Sequence, residues 1–569
     1  MKRTLVAALL AGTLTPLSAQ QLDNFGEAME VRIVNVDVVV RDKAGNLVTG
    51  LTSDDFVILE KGKPQAITNF AEYRESAAPE AAPGTEPTSR PSGVTVRPPQ
   101  KRYIAFFVDQ LKLRDTQNRE SFFRGLRAFA EDSMREGDEA AVFVWQTRVK
   151  TRLPMTADRA TLFATIKSLE EESKLQLDYT DIEQAELDFR ERAWAGDESA
   201  ATMIETDRRV AAQRAFDLQQ RKTHAINSVL QSLSGLDGRK VMILATERLS
   251  KLPGLEYGYS STEFNARRMI DSVVDEANAS AVTIYGFFPR GLDRDPFADT
   301  AGSYEAASGT AAGGPPASSY ELLMNQSETI DSIATRTGGL AAVGGKISEA
   351  ALGNVARQLD NYYSLAYRAS GDDRSRSIKV KVNQPGLEVL ARNSVVDKSD
   401  AEVARDRMIS GILFGTGTSA IPISVAQGAV RKKGLTTYAV PVEITIPIAH
   451  LTALPGAKGH DGKFRVLAVA ANADGDVADV AEKTQTFHIP EKELEKARSG
   501  AFTYSLEIVV RDTSNRALVC VIDDLDHDSG YAEVTLDLTK LAKNTPAKSN
   551  KPAWEQRPGR GGMGGGRWP

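Results

Sequence analysis

Asp109 closes the run Tyr103-Ile104-Ala105-Phe106-Phe107-Val108-Asp109. A run this apolar reads as a strand buried on both faces, of the kind found at the centre of a parallel sheet. A carboxylate at the C-terminal end of such a strand stands where open α/β sheets bind ligands. In an Asp-x-Ser-x-Ser spacing it would help hold a divalent cation through oxygen atoms. Here the next residues are Gln110-Leu111-Lys112-Leu113-Arg114-Asp115, with leucines where the two serines would stand. The segment therefore offers a polar binding edge, made of Asp109, Gln110, Lys112, Arg114 and Asp115. The carboxylate could also cap a helix start or pair with Lys112 or Arg114.

Other reactive groups do not assemble into a recognisable site. His224, His450, His460, His488 and His527 are scattered, with no His-x-x-x-His spacing. The acidic run Asp523-Asp524-Leu525-Asp526-His527-Asp528 lacks the spaced ligands and closing glutamate of a calcium loop, and reads as a solvated turn. Gly338-Gly339 and Gly344-Gly345 are not followed by Gly-Lys-Ser/Thr, and no Gly-x-Ser-x-Gly elbow occurs. No catalytic residue is assigned. The single cysteine, Cys520, sits in a strand-like segment and reads as a buried, inert thiol with no disulfide partner in the chain.

The chain of 569 residues is long enough for several domains, and its 41% hydrophobic and 26% charged content is that of a globular protein. A net charge of −6 gives no nucleic-acid footprint. Lys2 and Arg3 precede the apolar stretch Leu5 to Leu10, and Leu17-Ser18-Ala19 offers small residues for cleavage. Residues 1–19 read as a secretory signal peptide, which puts the protein outside the cell or in the periplasm or cell envelope. No other stretch has the ~20 apolar residues of a spanning helix.

Residues 28–75 alternate like strands, and predict a small β module that can bury little by itself. A Pro-, Ala- and Gly-rich linker follows over 76–101. From Arg102 strands alternate with helices: strands at Glu139 to Trp145, Lys240 to Thr246 and Ala281 to Phe288, helices at Arg119 to Arg135, Ala157 to Glu172 and Ser261 to Asn278. That alternation predicts an α/β fold with a doubly wound, mostly parallel sheet over 102–396. A polar helical insert, 181–220, leads into the apolar stripe Ile226, Val229, Leu230 and Leu233. Residues 293–319 read as a flexible Gly/Ala/Ser/Pro loop. Residues 405–542 carry seven strand candidates, the first at Ile409 to Phe414, and predict a C-terminal β-sandwich. The tail, 543–569, reads as disordered.

Several segments give this order a family likeness. Val36-Asp37-Val38-Val39-Val40-Arg41-Asp42-Lys43-Ala44-Gly45 and Gly50-Leu51-Thr52-Ser53-Asp54-Asp55-Phe56 come first. Ile284-Tyr285-Gly286-Phe287-Phe288-Pro289-Arg290-Gly291-Leu292, Thr337-Gly338-Gly339, Tyr362-Tyr363-Ser364-Leu365-Ala366-Tyr367 and Pro385-Gly386-Leu387 follow. Together, over about 30–395, the chain resembles the von Willebrand factor A-related proteins of Acidobacteria. The resemblance implies a doubly wound domain with a metal-ion-dependent adhesion site at the sheet's C-terminal edge. In that family the metal takes Asp-x-Ser-x-Ser, a loop threonine and an aspartate after the fourth strand, and its open position takes a partner's carboxylate. Carried over, Asp109 matches the first aspartate, Thr180 the threonine, and Glu247 stands for the later aspartate. With Leu111 and Leu113 for the serines, two oxygen ligands are gone. The resemblance thus implies a degenerate site with Mg²⁺ weakly held or lost, in an exported, non-enzymatic protein that binds another protein. Two other readings stay open: a working Mg²⁺-dependent site, and an envelope hydrolase.

Overall fold

The computed structural model describes residues 33–74, 95–97, 100–110, 116–175 and 201–539, apart from short interruptions and the longer one at 290–318. The expected signal peptide, 293–319 loop and C-terminal tail fall wholly or almost wholly outside the described residues.

The centre is a six-stranded sheet. Its strands are β1 (Arg102–Asp109), β2 (Glu139–Trp145), β3 (Val149–Thr156), β4 (Arg239–Ala245), β5 (Val282–Phe288) and β6 (Ala341–Val343). The order is 3-2-1-4-5-6, parallel throughout except for the antiparallel edge strand β3. Its helices are α1 (Thr116–Ala128), α2 (Arg159–Leu175), α3 (Ala201–Ser234), α4 (Arg267–Ala279), α5 (Ser319–Arg336) and α6 (Gly345–Asp360). Successive residues of a strand point to opposite faces, and every residue of β1 is buried. Ile104, Phe106 and Val108 pack with α1, α2 and α6 on one face. Tyr103, Ala105 and Phe107 pack with α3, α4 and α5 on the other. This is the doubly wound α/β unit that the strand–helix alternation predicts. The expected stripe Ile226, Val229, Leu230 and Leu233 is buried against the sheet.

At the opposite end of β1 from Asp109, Arg102 is fully buried. Its Nε bonds both oxygens of Asp138 at 3.1 and 3.0 Å, and its Nη1 meets Asp360 at 2.5 Å.

Two expectations about boundaries are corrected. The segment 28–75 is not a module of its own, and the sheet unit does not run to 396. Strand Ile33–Asp42 pairs with Tyr362–Arg368 and Leu387–Ala391, and Phe56–Glu60 pairs with Ser375–Val382. The two resulting sheets share one core, including Val36, Val38, Phe56, Tyr363, Leu365 and Ile378. A 50-residue β segment exposes too much apolar surface to stand alone. It is completed by strands from beyond α6, so the central unit is an insertion in a β unit. The 76–101 segment also contributes, because Thr95–Arg97 pairs in parallel with Ala71 to Tyr73.

The expected strand at Ile409 to Phe414 is instead the end of helix α7 (Asp400–Phe414). Ser399 and Glu402 form a capping box at its start, and Gly415 closes it in the left-handed region at φ 67°. The stripe Ala404, Met408 and Ile412 packs on Leu467, Val469, Leu518 and Cys520, so the apolar run belongs to a helix face. Beyond α7, two antiparallel sheets share a core that includes Val440, Val442, Ile444, Phe464, Val466, Val519 and Val521.

Helix α7 also joins the C-terminal sheets to the centre. Its Ser410 Oγ donates to Ser232 O at 2.6 Å and accepts from Gly235 N–H at 3.1 Å. A Cβ on Gly235 would lie 2.7 Å from Arg407 Cα, so the two helices meet only because position 235 has no side chain. Beside this contact Lys398 Nζ lies 2.8 Å from Glu276, 2.6 Å from Asp406 and 3.0 Å from Ser280 Oγ.

Candidate functional site

Asp109 ends β1, and Thr246 directly follows β4. These neighbouring strands lie where the order reverses, which is the crevice that open α/β sheets use for ligands. The Asp109 carboxylate is fully buried. Its Oδ2 accepts from Thr246 Oγ1 at 2.8 Å and forms an ion pair with the ammonium of Lys222. Lys222 Nζ lies 3.4 Å from Thr246 Oγ1, which closes a triangle, and its side chain is 2% exposed.

Helix α3 brings Lys222 there. It is one continuous helix of 34 residues, so the described part of the expected 181–220 insert is the first half of a core helix. That half stands over the turns that follow β4, with Ala211, Ala212, Tyr257 and Phe264 in one small core. One turn before Lys222, Gln219 Oε1 accepts from Ser250 N–H at 3.0 Å and its amide donates to Ser250 O. This locks the helix to the segment after β4. Residues three apart share a helix face, so the contact that seats Gln219 also aims Lys222 at the crevice.

Gln110 is buried beside the site. Its N–H donates to Trp145 O at 3.0 Å and its Oε1 accepts from Gln146 at 3.0 Å. The other expected residues of the edge, Lys112, Arg114 and Asp115, lie outside the described residues, as do Thr180 and Glu247. Of the expected set the structure therefore places Asp109 and Gln110. It adds Lys222 and Thr246, which the sequence reading missed. Thr246 was within reach, as the last residue of an expected strand. Lys222 was not, because nothing in the sequence of a polar helix marks which of its charged residues turns inward.

An ammonium is a compact cation with three donors. Placed against Asp109 and Thr246 it supplies the positive charge a divalent ion would bring to these oxygens. Among the described residues no group of three or more His, Cys, Asp or Glu could hold a metal ion.

Two other expectations can be placed. The acidic run is a hairpin turn: buried Asp523 accepts from Thr452 N–H at 2.6 Å and Leu525 N–H at 2.8 Å, and Asp524 pairs with Arg465 at 2.6 Å. Cys520 is buried, and burial pushes its thiol up to about 12. Among the described residues a cleft of about 1560 Å³ lies away from Asp109, between α3, α4, α7 and the C-terminal sheets.

No family model matches the chain, and no curated protein matches it. Among solved structures, similarity is found to a von Willebrand factor type A protein from Catenulispora acidiphila, at 8% identity over 64% of this chain and 81% of that one, with a TM-score of 0.24. An aerotolerance-related membrane protein from Bacteroides fragilis matches at 11% identity over 46% of this chain and 98% of its own, with a TM-score of 0.22. The pilus adhesin SpaC from Lactobacillus rhamnosus GG matches at 8% identity over 86% and 57%, with a TM-score of 0.23. Likenesses this distant carry no functional argument, and the fold assignment rests on the strand order and the two cores.

Proposed function

We propose that this is an exported, non-enzymatic binding protein whose central α/β unit engages a protein partner at the C-terminal edge of its sheet, without a bound metal. One observation carries the reading. The carboxylate that would anchor a divalent cation is already paired with Lys222 and bonded by Thr246. Both charges are withdrawn from water, so the pair reads as a fixed internal cation that keeps the end of β1 in shape. Export rests on the signal-like N-terminus. Among the described residues no helix is long and apolar enough to cross a membrane.

Titration of the mature protein with Mg²⁺ and Mn²⁺, by calorimetry and by thermal melting, tests the metal half of the proposal. Neither heat nor a melting shift is expected. A stoichiometric heat that Asp109→Asn abolishes would restore a metal-dependent adhesion site. A broad hydrolase screen tests the other half, with no activity expected. Turnover lost in Asp109→Asn would make the crevice an active site.

A further inference from the structure

The central unit rests on the N-terminal β unit through a polar contact. Arg239 opens β4 and is 5% exposed. Its Nη1 donates to the main-chain oxygens of Gln358 at 3.3 Å and Leu359 at 2.9 Å, at the end of α6. Its guanidinium lies 3.8 Å from the centre of the Tyr362 ring, and Tyr362 stacks on Tyr73 at 4.6 Å. Arg239 Nε is buried and has no hydrogen-bond partner. The carboxylate facing it, Asp37 of strand Ile33–Asp42, is 4.0 Å away, too far for a direct hydrogen bond.

Other polar atoms are stranded nearby. The hydroxyls of Tyr285 and Tyr362 and the Oε1 of Gln358 are buried without hydrogen-bond partners. Tyr285 is completely buried, Tyr362 is 2% exposed and Gln358 is 4% exposed. Burial raises the pKa of both phenols, and the charges of Arg239 and Asp37 act on both. The Gln100 main chain also faces the Tyr362 hydroxyl.

Buried polar groups in native proteins are paired with protein or with ordered water. A contact of about 4 Å between a donor and a carboxylate is the span that a bridging water fills, and a water needs two to four polar partners. We propose that this joint holds a bound water: one water bridges Arg239 Nε and the Asp37 carboxylate, whose side chain is 40% exposed, and the Tyr362 hydroxyl bonds to it or to a second water beside it. The water links β4 and α6 of the central unit to the first strand of the β unit. A direct contact there would need the two units about 1 Å closer.

The sign of a phenol deletion tests this. A truly unpartnered buried hydroxyl is a burden, and removing it stabilises; one bonded to water is a contact, and removing it destabilises. Tyr362→Phe in the full chain is expected to lower the melting temperature by a few degrees. A rise would overturn the proposal. A high-resolution crystal structure of the unmutated protein is the second test, and it stands even if a variant fails to fold. Density for a water within about 3.2 Å of Arg239 Nε is expected. A direct Arg239–Asp37 contact with no density between them would overturn it. So would an anomalous peak at that point in bromide-grown crystals, which would put a halide there instead.

Discussion

Replacing Lys222 by Met keeps most of the side-chain volume but removes the ammonium that pairs with Asp109. The carboxylate is 0% exposed and Lys222 2%, so neither water nor salt screens the pair effectively. Removing one partner of a buried ion pair costs about 3–5 kcal/mol, because the remaining charge loses its compensation. The charge-assisted hydrogen bond from Thr246, at 2.8 Å, worth about 1.5–3 kcal/mol, remains to offset part of that. Lys222→Met should therefore cost about 3 kcal/mol, roughly a hundredfold in the folding equilibrium. Asp109→Leu should cost a similar amount. The double variant should be less destabilised than either single one, since an apolar pair replaces an ionic pair with little net loss. Urea unfolding can be followed by the fluorescence of Trp145, which is paired with Asp109 across β1 and β2 and is 1% exposed. A cost below about 1 kcal/mol for Lys222→Met, or a double variant whose loss equals the sum of the singles, would refute the buried pair as described.

Four further outcomes follow from the same structure. Arg102→Leu leaves Asp138 and Asp360 without their shared buried cation and should cost about 3–5 kcal/mol, read as a collapse of the melting temperature. Gly235→Ala should loosen α7 from α3, because its Cβ would meet Arg407 backbone at 2.7 Å; faster hydrogen exchange over 400–414 with unchanged protection of β1 would show it. Lys240 is pushed down to about 8, chiefly by burial, so between pH 8 and its unfolded value the native state binds fewer protons and stability rises with pH. Relative to Lys240→Met, the unmutated protein should gain about 2 kcal/mol by pH 9.5 in denaturant titrations. Glu402 is held down at about 2, first by the Ser399 main-chain N–H. Its contribution is therefore complete above the ordinary glutamate range and lost as pH falls toward 2, and Ser399→Ala should cost about 1 kcal/mol near neutrality.

By itself the sequence determined the central sheet. Buried parallel strands need unbroken apolar runs, and amphipathic helices need one apolar face, so β1, β2, β4 and β5 and the stripe on α3 could be read directly. It also placed Asp109 at a strand end in the ligand-binding position. The run Ile409 to Phe414 was read as a strand, since a short apolar run fits either period. Tertiary structure alone decided the rest. The pairing of Ile33–Asp42 with Tyr362–Arg368 joins residues more than 300 positions apart, and no local pattern specifies a partner at that distance. The same holds for the cation beside Asp109. Lys222 is the lone lysine of a polar helix that also carries several arginines, and it became the counter-ion only because Gln219 and the turns after β4 fix that helix across the crevice.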